Sequence, residues 1–322
     1  MPKFIIFNDP HYTETPPRMR KDTYGADILS KIDEVILLSE QHNCDAILCT
    51  GDIFHRKGDV THSEVFKLMS VLKKAKVPIL TILGNHDIIG YNFDSYKTRA
   101  IGTLIKSDII KLLDSKEYRF DNVVVSGKSY NNRYDQPGSK SYYLPYKKLK
   151  EELSIHLTHG MLMFDKAFPF GGSTTLEQIK DTDCDVIING HYHTRLGISK
   201  TGKCQVFALG SISRGSLSSD NISRTPSILL LDIDGKDIKY NEIELSSAKT
   251  FVEIFVDDIA DDSAIDVNEI KDFVELLNKE INDVSSFDFE KLIETILNKK
   301  SYPIYIKDMV LDYLNEHSTG NN

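Results

Sequence analysis

Only four cysteines occur in the 322 residues, Cys44, Cys49, Cys184 and Cys204. None forms a C-x-x-C pair, so neither a zinc knuckle nor a disulfide framework is indicated. A reducing, cytosolic setting is the simplest expectation, or the host cytoplasm if the chain is viral. Long apolar runs are lacking too. The run at the N-terminus covers only residues 4–7 before Asn8 and Asp9, too short for the apolar region of a signal peptide. No stretch approaches the length of a membrane span, so no membrane contact is expected. There is no internal repeat and no low-complexity tract. An excess of positive charge is also missing, the net charge being -9. That deficit is local. Residues 251–322 hold 17 acidic and 6 basic residues, net -11, and residues 1–250 come to +2. A polyanionic substrate is therefore open to the first 250 residues, whereas the last 72 are not the surface that grips phosphates.

What is present is a series of short β-branched runs that read as buried strands: KFIIF (3–7), AILCT (46–50), PILTIL (78–83), NVVVS (122–126), LSIHL (153–157), DVIIN (185–189), QVFAL (205–209) and SILLLDI (227–233). Helical stripes lie between the early ones. Ile28, Ile32, Val35 and Ile36 form one, and Val65, Leu68, Met69 and Leu72 another. Alternating strands and helices predict an α/β sheet. The closer spacing of the later strands predicts a second, more antiparallel sheet packed on the first. KTFVEIFVDD reads as a strand opening a small acidic unit over 251–322, with helices near 268–280, 288–298 and 306–316.

Five of the strands end in Asp, Asn or His. Asn8-Asp9-Pro10-His11 follows the first, Gly51-Asp52-Ile53-Phe54-His55 the second and Gly84-Asn85-His86-Asp87 the third. Thr158-His159-Gly160 and Gly190-His191-Tyr192-His193 follow two later ones. The carboxyl ends of strands in an α/β sheet share one edge, where ligands bind. Asp9, His11, Asp52, Asn85, His159, His191 and His193 are metal-ligand types. Mixed oxygen and imidazole donors suit manganese, iron or zinc better than magnesium or calcium. Seven donors exceed one tetrahedral site and suit two cations sharing a carboxylate, roughly 3.5–4 Å apart. A single strand-end Asp or His is ordinarily a turn cap or a solvated residue. His156 reads as a satisfied core or edge histidine, and His42, His62 and His317 take an equally ordinary reading.

In this order, D-x-H, G-D, G-N-H-D, H-G and G-H-x-H resemble the calcineurin-like metallophosphoesterase superfamily over residues 3–233. The resemblance implies a four-layer α/β/β/α sandwich over 1–250 and a small C-terminal capping domain over 251–322. It implies that Asp9, His11, Asp52 and His193 hold one metal, that Asp52, Asn85, His159 and His191 hold a second, and that His86 protonates the leaving oxygen or stabilises transition-state charge. Gly51-Asp52-Ile53-Phe54-His55 followed by G-N-H-D is similar to the SbcD-type double-strand-break nucleases, as is LGSISR (209–214). The protein serine/threonine phosphatases, with G-D-x-x-D-R-G and G-N-H-E, fit poorly. The nuclease resemblance adds His55 as a second catalytic histidine. It implies manganese-dependent exonuclease or endonuclease hydrolysis of DNA by a hydroxide formed between two divalent ions. It also implies an SbcC-type ATPase partner and a homodimer built on segments 63–75 and 94–113. Arg18, Arg20, Lys21, Arg56 and Lys57 are candidate DNA contacts, with solvated surface charge as the plainer reading. The alternatives are another dinuclear-metal phosphoesterase, either a cyclic-nucleotide phosphodiesterase or a phosphomonoesterase, and a scaffold without activity.

Overall fold

A computed structural model describes residues 1–255, apart from 18–19, 57, 59, 90–91, 115, 132, 134, 136–140, 145–151, 168–171 and 217. The proposed acidic unit and its three helices therefore lie outside the described residues, save for 251–255. In chain order the strands are β1 (Lys3–Phe7), β2 (Ala46–Cys49), β3 (Ile79–Thr81), β4 (Lys111–Leu112), β5 (Tyr118–Phe120), β6 (Val123–Lys128), β7 (Leu153–Gly160), β8 (Leu162–Met163), β9 (Thr174–Thr175), β10 (Val186–His191), β11 (Gly197–Thr201), β12 (Cys204–Ala208), β13 (Ser227–Asp234) and β14 (Asp237–Glu244). The helices are α1 (Tyr24–Gln41), α2 (His62–Leu72), α3 (Ala100–Lys106) and the short α4 (Ser219–Ser223) and α5 (Phe251–Ile254).

Two six-stranded sheets result, in the orders β14-β13-β1-β2-β3-β4 and β11-β12-β10-β7-β6-β5. Side-chain alternation along each strand separates the layers. Phe4, Ile6, Leu48, Leu80 and Leu231 of the first sheet meet Val125, Ile155, Leu157, Val186 and Ile188 of the second. On the other face of the first sheet, Ile5, Phe7, Ile47 and Ile79 pack with Ile28, Ile32, Val35 and Ile36 of α1 and with Leu68 and Leu72 of α2. Those helix residues are the predicted stripes, with Val65 and Met69 partly buried at the edge. The outer face of the second sheet carries Ile187 and Val206 beneath Tyr142, Tyr143, Leu176 and Ile179. This is the expected layered α/β architecture of two sheets flanked by helices. Among the described residues, the cover over the second sheet includes two 3-10 turns, Ser141–Tyr143 and Leu176–Ile179.

Three expectations are corrected. The second sheet is parallel at its centre, because β6, β7, β10 and β12 all pair parallel. Strand spacing misleads here: the 24 residues between β6 and β7 and the 25 between β7 and β10 are enough to return the chain to the same end of the sheet. The 227–233 run belongs to the first sheet, where β13 runs antiparallel to β1. The start of KTFVEIFVDD is helical, because Thr250 and Glu253 close a capping box around Phe251–Ile254. Segment 94–113, named above for a homodimer, spans several elements. It holds a 3-10 turn (Phe93–Thr98), α3 and β4.

The loop after β1 is tied down early. Glu64 at the start of α2 accepts the Thr61 amide at 2.7 Å in a capping box and the Thr13 hydroxyl at 2.8 Å. It also accepts the Glu14 amide at 2.8 Å. Burial would raise the Glu64 carboxyl, but the amides of Glu14 and Thr61 hold it below the usual range. The first strand-end cluster is thus fixed to the helix that follows the second. All four cysteines are buried and free. No helix among the described residues is long and apolar enough to cross a membrane.

Candidate metal centre

The carboxyl ends of β1, β2 and β3 in one sheet and of β7 and β10 in the other open on the same edge of the sandwich, and the seven donors meet there. Asp52 lies between two groups. Its Oδ2 is 3.4 Å from His11 Nε2 on one side and 3.3 Å from His159 Nε2 on the other. His11 Nε2 also faces His193 Nε2 at 2.8 Å. Beyond His159, Asn85 Oδ1 is 3.2 Å from His159 Nε2 and 3.1 Å from His191 Nδ1. Asp9 sits against the second group, its Oδ1 3.4 Å from His159 Nδ1, and the His191 amide donates to its Oδ1 at 3.2 Å. Every one of the seven is buried except His193, which is partly buried.

Backbone strain accompanies the cluster. Asp9, His11, Asp52 and His191 have φ of 45°, 44°, 50° and 79°. Left-handed backbone is unfavourable for residues with a β-carbon and persists where the surroundings over-determine it. Two glycines allow the close approach. A β-carbon at Gly84 would fall within the radius of Asp52 Oδ1, and one at Gly190 would sit 2.9 Å from Asp9 Oδ1. Asn8, where the resemblance expects serine, donates Nδ2 to the Asn189 carbonyl at 3.1 Å and so links the first strand end to β10.

The electrostatics show what the cluster lacks as bare protein. Burial, joined by the Asp52 charge, pushes the Asp9 carboxyl to about 7 against the pull of His159. Burial would raise Asp52 as well, but His159 and then His86 hold it well below the usual range. Burial would lower His159, yet Asp52 and Asp9 bring it to about 9. His11 falls well below 6.5 and His193 to about 3, each mainly through burial. His159 Nδ1 faces the Thr50 carbonyl at 2.7 Å, which assigns a proton to Nδ1 and leaves Nε2, facing Asp52 and Asn85, as the nitrogen that a cation would claim in place of its proton. His11 Nε2 and His193 Nε2 face each other at 2.8 Å, so both can offer lone pairs to one point when each ring carries its proton on Nδ1. Oxygen and imidazole lone pairs converging on shared points call for cations between them. The donor set therefore fits divalent ions on either side of Asp52, with Asp9 grouped on the His159 side. Three-donor groupings exist around His11–Asp52–His193 and Asp9–Asp52–His159, and a third joins His11, His55 and His86.

His86 and His55 flank the first group. The His86 ring lies 4.6 Å from that of His11, edge to face, and 5.7 Å from that of His55, stacked. His86 Nδ1 meets the His55 carbonyl, which makes Nε2 the proton-accepting nitrogen of the neutral ring. Burial, with His86 beside it, lowers the His55 ring to about 4.

The candidate DNA contacts are divided. Arg20 is corrected: its side chain is buried and donates to Asp22, to Asp27 and to the carbonyls of Ser213 and Arg214. A guanidinium so enclosed is internal structure and is not presented to a phosphate. Lys21 is exposed, and Arg56, partly exposed, donates to Thr15 Oγ1. Arg18 and Lys57 lie outside the described residues. His156 is a core histidine, 2.8 Å from Ser126 Oγ and 3.1 Å from the Tyr142 carbonyl.

Several supporting residues had no role legible in the sequence, Ser211 among them although it lies in the LGSISR segment. Ser211 donates to the Asp9 carbonyl at 2.6 Å, and the Tyr130 ring lies 5.3 Å from that of His191 and 6.0 Å from that of His159. Asp87 was legible as part of its motif but had no role there. Its Oδ2 accepts the amides of Asp52 and Gly84, both at 2.9 Å.

Residues 2–195 match the family described as calcineurin-like phosphoesterase. Among solved structures, the chain is similar to the purple acid phosphatase PPD1 from yellow lupin (Lupinus luteus) seeds, with a TM-score of 0.52 and 12% identity over 78% of this chain and 52% of that one. It is also similar to a dimetal phosphatase from Danio rerio (0.48, 14%, 76% and 99%) and to the Thermus thermophilus protein TT1561 (0.48, 13%, 74% and 98%). At such identities the lupin likeness is one of fold. Comparison with curated proteins finds no match.

Proposed function

The chain belongs to the calcineurin-like phosphoesterase family, and on that premise we propose that it is an SbcD-type nuclease that hydrolyses DNA phosphodiesters at a dinuclear centre. The observation that carries the phosphoesterase chemistry is Asp52 Oδ2, placed 3.4 and 3.3 Å from one imidazole of each donor group. Two divalent ions in these groups supply Lewis acidity toward the phosphate oxygens and a water acidified to near neutral pH. The chain's own groups do the rest. By the family pattern Asp9, His11, Asp52 and His193 would hold one ion, and Asp52, Asn85, His159 and His191 the other, with Asp9 also lying 3.4 Å from His159 Nδ1 of the second group. Thr50 fixes the tautomer of His159 through its carbonyl. His86, with Nδ1–H committed to the His55 carbonyl, would take up a proton on Nε2 and, as the imidazolium, give it to the leaving oxygen.

The finer reading, DNA as substrate, is favoured by the pairing of His55 with His86. The Phe54-His55 dipeptide after Gly51-Asp52 is the feature shared with the nuclease branch, and Phe54 is buried, anchoring His55 at the site. Manganese as the resident metal, an SbcC-type ATPase, a homodimer and a cytoplasmic setting accompany that proposal. So does the division into a nuclease unit over 1–250 and a capping unit over 251–322. Lys21 and Arg56 are the described cations that could meet a strand.

One panel tests the reading. With manganese added, the full chain is assayed on labelled duplex DNA, a bis-aryl phosphodiester and a cyclic nucleotide, with and without an SbcC-type ATPase. Hydrolysis of DNA, alone or with the ATPase, is expected. Turnover of the cyclic nucleotide or of the bis-aryl phosphodiester with DNA left intact in both arms would favour the other dinuclear phosphoesterases.

A further inference from the structure

Asp87 is a carboxylate buried behind the site and unused by the chemistry above. We propose that Asp87 is the positioning residue that holds the shared ligand Asp52 in its bridging orientation; this rests on the two-ion reading of the centre.

Asp52 has a φ of 50°, which an aspartate tolerates but does not prefer. Residues 84–87 close around it. Asp87 Oδ2 accepts the Asp52 amide at 2.9 Å, which fixes the backbone of Asp52. The same oxygen accepts the Gly84 amide at 2.9 Å, so the two loops share one acceptor. The His86 amide donates to Asp52 Oδ1 at 2.8 Å, which fixes the carboxylate plane. Oδ2 of Asp52 is thereby aimed at His11 and His159. The glycines make this possible: a β-carbon at Gly51, φ 100°, would sit 2.6 Å from the Gly84 amide nitrogen.

The choice of residue supports a directed role. Two amides converge on one oxygen, an arrangement that a carboxyl or carboxamide oxygen can accept and an aliphatic side chain cannot. The partner oxygen, Asp87 Oδ1, is buried with no hydrogen-bond partner among the described residues. A side chain serving only to fill space would carry no such cost. Asp87 also closes a turn, its amide donating to the Gly84 carbonyl at 3.3 Å. That bond is main-chain and survives any substitution except proline, so the side-chain role can be tested separately.

The test uses the full chain as wild type, Asp87→Ala, Asp87→Leu and Asp87→Asn, titrated with Mn2+ by calorimetry and examined by electron paramagnetic resonance. Leucine is nearly isosteric and removes the acceptor without opening a cavity. Asparagine keeps an acceptor oxygen and tests whether geometry or charge matters. Wild type is expected to bind two ions with the exchange-coupled signal of a bridged pair. Asp87→Ala and Asp87→Leu should lose that signal and bind the second ion roughly 10–100-fold more weakly, whereas Asp87→Asn retains the coupled pair. A coupled pair that persists in Asp87→Leu, with only the melting temperature lowered, overturns the proposal, as does its loss in a folded Asp87→Asn. If the wild type binds no pair, the two-ion reading fails first and takes the proposal with it.

Discussion

The main chain of His86 holds Asp52: the His86 amide donates to Asp52 Oδ1 at 2.8 Å, while the His86 ring turns Nδ1 to the carbonyl of His55. In the proposed mechanism one residue thus supports Asp52 through its backbone and the proton transfer through its side chain. The two functions separate on truncation of the ring.

His86→Ala should keep its metal and lose turnover, since the amide that holds Asp52 remains. A fall in kcat of about 10²–10⁴-fold is expected for loss of a general acid. Elemental analysis beside steady-state kinetics checks it. A parallel loss of bound metal would show that His86 serves the ions instead.

Gly84→Ala should damage the centre from the other direction. The added methyl would overlap Asp52 Oδ1 and press on the His159 ring. Overpacking of this kind costs about 1–3 kcal/mol and here displaces the shared ligand. Lower bound metal and a lower melting temperature are expected together. Full metal occupancy in this variant would mean that the loop is more yielding than its contacts imply.

Arg20 and Arg56 should behave differently. Arg20→Met leaves Asp22 and Asp27 short of a buried partner and should cost roughly 3–5 kcal/mol in denaturant unfolding. The salt dependence of DNA binding should not change. Arg56→Ala should leave stability nearly unaltered and lower the salt slope of DNA affinity by about one. Anisotropy titrations at several salt concentrations separate them, and an unchanged slope for Arg56→Ala would remove it from the DNA path.

His156 makes the metal-free fold acid-sensitive. An imidazole in the unfolded chain takes up a proton near pH 6.5, and burial delays this to about 4 in the fold. Unfolding therefore binds a proton between those values. The stabilising contribution is whole above pH 6.5 and is lost as pH falls toward 4, by up to about 3 kcal/mol. In urea melts across this range, His156→Gln should show a shallower decline than wild type. Parallel declines would assign the acid sensitivity to other groups.

The sequence was readable where chemistry and burial leave local marks. The donors could be found because each interrupts an apolar strand at its end, where packing gives no reason for an imidazole or a carboxylate. Their supports could not. The Thr50 carbonyl reaches His159 across 109 positions, and the Ser211 hydroxyl reaches Asp9 across 202. Contacts of that span have no periodicity to detect. In the fold, β14 was missed because it is a largely exposed edge strand whose polar residues alternate with few apolar ones. The Asp-Gly pair at 234–235, with Gly235 at φ 63°, marks its hairpin. Arg20 was misread for a related reason. Charge alone cannot distinguish a surface cation from one enclosed by Asp22 and Asp27, whose positions depend on α1 packing beneath the loop.

The central claim is that donors from five strand ends hold two cations with Asp52 shared between them. Anomalous diffraction from crystals soaked in manganese tests it most directly. Two peaks about 3.5–4 Å apart, one on each side of Asp52 Oδ2, are predicted. A single peak, or a pair in which Asp52 touches only one ion, would contradict it.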